Sequence, residues 1–153
     1  MSRKPRSRSK DDPEHGPYVG ALLRLAWQRI RERIFLGVQS EGYSDLSAAH
    51  IGVFRFEGLD GQTLTELAQR MQITKQSVHD LLRHLERRGY AERRTAPKDK
   101  RSRLIYLTAR GRRLEVIVRK YARLAEWKLA RELGEKELQE FRATLRKINR
   151  LSS

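Results

Sequence analysis

One face of the predicted helix 74–88 carries a series of polar side chains that could contact a nucleic acid. The opposite face, at about 100° per residue, is the apolar stripe Val78, Leu81, Leu82 and Leu85. Amide side chains can pair with adenine, Lys and Arg with guanine, and Asp can accept from cytosine. The candidate contact residues are Thr74, Lys75, Gln76, Ser77, His79, Asp80, Arg83 and Arg87. Asp80 has the alternative of pairing with Arg83 or His84 on the helix surface.

A second basic group follows in a predicted hairpin. Its tip and returning strand carry Lys98, Asp99, Lys100, Arg101 and Arg103. An arginine on a narrow loop can enter the minor groove of DNA, where the potential is most negative. Residues 74–111 hold eleven basic and four acidic side chains, so the positive charge is concentrated around these two features.

Helix and strand signals place both groups on short elements. Thr63 with Glu66 forms a capping-box pattern that begins one helix, and Thr74 can cap the next, which ends at Gly89. Segments 90–95 and 103–107 then predict two strands. Two short helices followed by a basic hairpin are typical of a winged helix-turn-helix.

Longer helices flank this segment. We expect one at 18–39 after Pro17, with apolar residues on more than one face, and a shorter one at 46–56 capped by Asp45. Thr108 can cap a helix to about Leu133, and a last helix follows Gly134. Its apolar residues have the spacing of a helix that packs on another helix: Leu138, Phe141, Leu145 and Ile148.

Composition narrows the classes of function. The 153 residues carry a formal charge of +15, which favours a polyanionic partner, nucleic acid before an anionic membrane. The absence of cysteine excludes disulfides and thiol chemistry. No apolar run suits a membrane span or a signal core, so we expect a cytoplasmic protein. No glycine-rich phosphate loop, nucleophile motif or histidine cluster is present, so we expect no enzyme activity, cofactor or metal.

The central segment resembles the MarR family of bacterial transcription regulators. The family's wing signature, Asp-x-Arg followed after five residues by Leu-Thr-x-x-Gly, is met by Asp99, Arg101, Leu107, Thr108 and Gly111. Segments 64–68 and 85–90 are also similar to that family. The resemblance implies a homodimer on a short palindrome, with helix 74–88 in the major groove. It further implies that Arg101 reaches the minor groove, with Asp99 holding the wing by an ion pair.

The resemblance also implies repression that a small phenolic or anionic effector relieves, bound between the dimer helices and the winged domain. Trp27, His50 and Phe54 are candidates to line such a pocket, although ordinary core packing is the more common explanation for all three.

The predicted fold is therefore mainly α with a small β-hairpin wing. We divide it into a disordered basic tail at 1–16, an N-terminal dimerisation helix at 17–45, a winged helix-turn-helix domain for double-stranded DNA at 46–111, and C-terminal dimerisation helices at 112–153. The alternative is a basic protein that binds nucleoid DNA or RNA without sequence preference.

Overall fold

A computed structural model describes residues 17–55, 58–97 and 99–150. The predicted tail at 1–16 and the candidate contact residue Lys98 lie outside these described residues, as does Phe56, the predicted end of the second helix. The described elements are, in chain order, α1 (Val19–Ser40), α2 (Ala48–Val53), β1 (Gln62–Thr63), α3 (Leu64–Met71), α4 (Lys75–Arg87), β2 (Ala91–Thr95), β3 (Arg103–Leu107), α5 (Ala109–Leu133) and α6 (Glu135–Ile148).

Threonine side chains begin three of the helices where the sequence predicted caps. The hydroxyl of Thr63 accepts from the backbone N–H of Glu66, whose carboxylate in turn accepts from the N–H of Thr63 at 2.7 Å. Hydrogen bonds that the Glu66 carboxylate accepts from the backbone N–H and the hydroxyl of Thr63 lower the pKa of Glu66. Thr74 caps α4, and Thr108 caps α5. The residues at which α3, α4 and α5 begin are thus determined by the local sequence.

The start of α2 differs from the prediction. Asp45 is not its cap: the helix begins at Ala48, and the hydroxyl of Ser47 accepts from the N–H of His50. The Nδ1 atom of His50 accepts from the N–H of Ser47 at 3.0 Å and completes the capping box. Asp45 instead accepts a hydrogen bond from the Tyr90 hydroxyl at 2.8 Å. A distant partner therefore engages the carboxylate that was expected to cap the helix.

The sheet has three antiparallel strands in the order β1-β3-β2. The hairpin of β2 and β3 was expected, with Arg93 opposite Ile105. Strand β1 was not expected, because two residues are too few to show an alternating pattern; its Gln62 lies opposite Ile105 on the other edge of β3. The extra strand ties the start of α3 to the base of the wing.

The core joins the winged segment to the long helices. Val78, Leu82 and Leu85 of α4 are fully buried with Tyr90, and α5 contributes Leu114 and Val118 to the same cluster. Burial of the α4 stripe agrees with its predicted orientation; Leu81 is only half-buried at the edge. In the described part of the chain, every helix is too short or too polar to cross a membrane.

Candidate nucleic-acid interface

Helix α4 presents a polar face to solvent opposite its buried stripe. Thr74 and Ser77 lie at its N-terminus, where the hydroxyl of Thr74 accepts from the N–H of Ser77 at 3.1 Å. The exposed side chains along the helix are Lys75, Gln76, Asp80, Arg83 and Arg87, whereas His79 is half-buried on the flank. All the candidate contact residues of α4 thus lie away from the core, and the structure brings them together on one surface.

Neighbouring polar side chains on α4 hold one another. The amide nitrogen of Gln76 donates to both carboxylate oxygens of Asp80 at 3.2 Å. The guanidinium of Arg83 lies 4.0 Å from the same carboxylate, so Asp80 does pair on the helix surface. The side chains of Gln76, Asp80 and Arg83 therefore hold one another in place along the exposed face of α4. Together they present both hydrogen-bond donors and acceptors to a partner.

A bidentate ion pair fixes the angle between α4 and the hairpin. Two guanidinium nitrogens of Arg93 on β2, Nε and Nη2, donate to the carboxylate of Glu86 at 2.7 Å. The hydrogen bonds to Glu86 raise the pKa of Arg93. Because both side chains are about one-quarter exposed, this pair is screened less than a surface pair. Sequence spacing does not suggest this pair, because the two residues lie on different elements.

The tip of the wing is organised by Asp99. Its carboxylate accepts from the backbone N–H of Arg101 at 3.0 Å and from the hydroxyl of Ser102 at 2.6 Å. These hydrogen bonds, that of Ser102 first, lower the pKa of Asp99. The implied ion pair between Asp99 and the Arg101 side chain is not found among the described residues. The short reach from the carboxylate to the backbone N–H lets Asp99 hold the loop while the Arg101 guanidinium stays exposed.

Other charges of the wing have different roles. Lys100 is exposed, and the guanidinium of Arg103 donates to the Thr95 hydroxyl across the hairpin at 2.9 Å. Arg94, which the sequence did not single out, pairs with Glu92 and lies 4.7 Å over the Tyr106 ring. The wing thus keeps two described cations, on Lys100 and Arg101, at its tip.

A cleft between α3 and the start of α4 adds polar residues that sequence reasoning missed. The cleft has a volume of about 450 Å³, and Thr65, Gln69 and Gln72 line it together with Lys75. Gln72 has a left-handed backbone, with φ of 56°, and ends α3. The only signal in the sequence is the i, i+4 spacing of Thr65 and Gln69, which is common on any exposed helix face.

Trp27 and Phe54 line a cavity of about 340 Å³ between α1, α5 and α6. His50 does not line it; its ring stacks on His84 instead, so the prediction that all three residues share a pocket is wrong for His50. The cavity walls are mostly apolar, and the charged side chains among them are three guanidinium groups and one carboxylate: Arg55, Arg119, Arg142 and Glu126.

The guanidinium of Arg55 lies 4.3 Å over the ring of Trp27. Partial burial, followed by the charge of Arg31, lowers the pKa of Arg55. Arg119 and Arg142 are each paired, with Glu115 at 2.9 Å and Glu126 at 2.8 Å. An aromatic face, apolar walls and an excess of guanidinium groups over carboxylates suit an aromatic anion.

Apolar side chains remain exposed on the long helices. On α1, Ile34 and Val38 are buried, whereas Leu22, Leu25 and Leu36 on the other side are 50%, 47% and 57% exposed. Trp127 of α5 and Phe141 of α6 are also exposed. The prediction that α1 has more than one apolar face therefore agrees with its burial pattern within this chain.

No group of three or more His, Asp or Glu side chains that could hold a metal ion occurs in residues 17–55, 58–97 and 99–150.

Comparison with known proteins gives the same architecture. Residues 44–102 match the model of the MarR family. A transcriptional repressor, CouR, bound to a 23-mer DNA duplex is 24% identical, with 94% of this chain and 99% of that chain covered and a TM-score of 0.76. A Mycobacterium tuberculosis MarR family protein in complex with salicylic acid is 26% identical, with 88% and 98% covered and a TM-score of 0.67.

A structure of MarR itself is also 26% identical, with 93% of this chain and 92% of that chain covered and a TM-score of 0.71. Among curated proteins, none matches the sequence significantly.

Helices α3 and α4 with the three-stranded wing define a winged helix-turn-helix protein. The predicted fold class is thereby confirmed. Within that class, residues 44–102 match the MarR family model, as the resemblance indicated, and the chain is similar in fold to MarR and to a MarR family protein over most of its length.

Proposed function

We propose that this protein is a transcriptional regulator of the MarR family, a homodimeric repressor that binds a palindromic operator sequence-specifically and responds to a small anionic effector. The observation that carries the proposal is the exposed polar face of α4 beside the cationic tip of the wing. Lys75, Gln76 and Arg83 would meet base edges or phosphates in the major groove, and Arg101 would enter the adjacent minor groove.

Sequence preference is the property that tests this proposal. Fragments selected by the full-length protein from random DNA should converge on one inverted repeat, with half-sites about one helical turn apart, roughly 10 base pairs. The affinity for that duplex should exceed that for a scrambled duplex at the same salt concentration. Equal affinity for all duplexes would instead favour the alternative of a basic protein that binds nucleic acid without sequence preference.

The exposed apolar residues of the long helices support a homodimer. A second copy would cover Leu22 and Leu25 of α1, and Phe141 of α6, which one chain leaves in contact with water. Large apolar side chains exposed on neighbouring helices are typical of an interface. A dimer would also present two copies of α4 to the two half-sites of a palindrome.

Leu25→Glu should convert the dimer to a monomer at micromolar concentration, because the carboxylate would be buried without a partner in the interface. The residue is 47% exposed in one chain, so the subunit itself should keep its helical circular dichroism. Sedimentation velocity measures the change. Gln28→Glu, on another exposed position of α1, is the matched control and should stay dimeric. A Leu25→Glu variant that sediments as a dimer would place the interface elsewhere.

The cavity of Trp27 and Phe54 supports an anionic aromatic effector. The relative from Mycobacterium tuberculosis holds salicylic acid, a compound of that class. In this chain the ring would lie among the apolar walls, and the carboxylate would meet the guanidinium groups of Arg55, Arg119 or Arg142. Helix α2 ends next to this cavity and contacts α4, so a bound effector could change how α4 is held.

Salicylate should quench the fluorescence of Trp27 in a Trp127→Phe background, where one tryptophan remains. Arg55→Gln should raise the Kd about tenfold, since a hydrogen bond to a charged group contributes about 1.5 kcal/mol. Arg33→Gln, which removes an exposed charge from another part of α1, should leave the Kd unchanged. An equal Kd in the Arg55 variant would contradict the assignment of the carboxylate site.

A further inference from the structure

His50 of α2 and His84 of α4 stack on each other. Their ring centroids are 4.0 Å apart and their planes differ by 20°. Both side chains are half-buried where α2 contacts α4. Neither belongs to the exposed face of α4 or to the cavity of Trp27, so the proposed contacts with DNA and effector leave this pair unexplained.

The hydrogen bonds of the pair fix where its protons lie. The N–H of Ser47 donates to Nδ1 of His50, and the Ser47 hydroxyl lies 2.8 Å from the same nitrogen, so Nδ1 must be unprotonated for the complete capping box to form. Nε2 of His84 lies 2.9 Å from the backbone oxygen of Asp45. Because a carbonyl oxygen only accepts, Nε2 of His84 carries a hydrogen, which it does in the neutral ring and in the cation alike.

Few other charges act on the pair. Asp45 in the α1–α2 loop attracts a proton to His50, but its carboxylate is shared with the Tyr90 hydroxyl and with Arg110 of α5, at 2.8 and 3.5 Å. Burial and the Asp45 contact raise the pKa of Tyr90 to about 12, so this hydroxyl stays a neutral donor. On α1, the charge of Arg31 lowers the pKa of Arg55, which follows the C-terminal end of α2, whereas His50 lies in the first turn of that helix.

We propose that the His50–His84 pair is a proton-sensitive contact that holds α2 against α4 at neutral pH and releases it in acid. A proton from solvent on Nδ1 of His50 would turn the acceptor of the Ser47 N–H into a donor and remove that half of the capping box. It would also place a positive charge on the face of the His84 ring.

The direction of the effect follows from the environment of His50. Burial, then the charge of His84, lowers the pKa of His50 below its ordinary value of about 6.5, against the weaker effect of Asp45. The unfolded chain therefore takes up this proton before the folded protein does. The stability that the neutral pair contributes is complete above about pH 6.5 and decreases as the pH falls below that value.

The test uses the full-length protein and a substitution that keeps the cap without titrating. In His50→Gln the amide oxygen can accept from the N–H of Ser47, as in the common Ser-x-x-Gln capping box. Between pH 7.5 and 5.5, at fixed ionic strength, the Tm of the wild type should fall about 2–4 °C more than that of this variant. His79→Gln, on the flank of α4, is the control and should behave like the wild type. An equal fall in His50→Gln would overturn the proposal.

Proton NMR provides a second test that does not depend on the stability of His50→Gln. The His50 ring of the wild type should titrate below about pH 6.5, and its pKa should rise in His84→Gln, where the amide can still donate to Asp45 but carries no charge. Titration of His50 at or above 6.5 in the wild type would overturn the proposal as well.

The consequence for DNA rests on the proposed function. With a duplex obtained by selection, the wild type should lose about three- to tenfold more affinity than His50→Gln between pH 7.5 and 5.5. If the two proteins lose affinity equally while their Tm values diverge, the contact is proton-sensitive but does not regulate DNA binding. If no duplex is preferred at either pH, the proposed function fails. The Tm and NMR measurements still show whether the His50–His84 contact is proton-sensitive.

Discussion

Gly111→Ala is expected to destabilise the protein by about 3 kcal/mol or more. A Cβ atom at this position would lie 1.9 Å from the backbone oxygen of Tyr90 and 3.1 Å from Cδ2 of Leu107. The oxygen cannot move freely, because it accepts from the N–H of Thr108 at the start of α5. Either α5 must shift away from β2 or the sheet must deform. For a chain of this size the expected fall in Tm is roughly 6–12 °C.

Differential scanning calorimetry measures this change, with Gly20→Ala as the matched control. A Cβ atom at Gly20 meets nothing within 4 Å, and the residue lies in the helix α1. Alanine there should leave the Tm unchanged or raise it slightly. A Gly111 variant as stable as the Gly20 variant would show that α5 can move away from Tyr90 at little cost.

Arg101→Ala is expected to lower operator affinity about 5- to 150-fold, which corresponds to about 1–3 kcal/mol. The residue is exposed at the tip of the wing, and only its backbone N–H is used by Asp99. Removing the side chain should therefore leave the loop intact and delete a cation from the proposed minor-groove contact. Fluorescence anisotropy with the selected duplex measures the affinity, and sedimentation checks that the oligomeric state is unchanged.

Arg146→Ala removes the same charge from an exposed position of α6, far along the chain from the wing. Its effect on affinity should be small and equal for operator and scrambled duplexes. If Arg101→Ala behaved in that way, Arg101 would contribute only to the general attraction for DNA. An unchanged operator affinity in Arg101→Ala would reject the wing assignment altogether.

Local signals in the sequence were sufficient to predict the helix starts and the buried helix face of the winged segment. Thr63, Thr74 and Thr108 cap helices where their spacing predicts, since a capping hydrogen bond needs only residues three positions apart. The buried stripe of α4 was predictable for the same reason: helical periodicity orders side chains before any tertiary contact exists. The orientation of the candidate DNA-contacting residues follows from that stripe.

Contacts between distant residues were not predictable. Asp45 was expected to cap α2, but Tyr90 and Arg110, far along the chain, engage its carboxylate. His50 was expected in a pocket, but His84 stacks on it. Arg55, the cation over Trp27, carried no signal in the sequence. Each of these outcomes depends on how α1, α2 and α5 meet, and no single helical period contains that information.

The Glu86–Arg93 ion pair constrains how an effector could act on DNA binding. Because it joins α4 to β2 through two hydrogen bonds, we expect α4, the proposed reader of the major groove, to move together with the hairpin as one unit. A signal from the cavity would then change the spacing between the two such units of a dimer, and leave each unit's own shape as it was. Operators with altered half-site spacing would be the natural way to detect that motion.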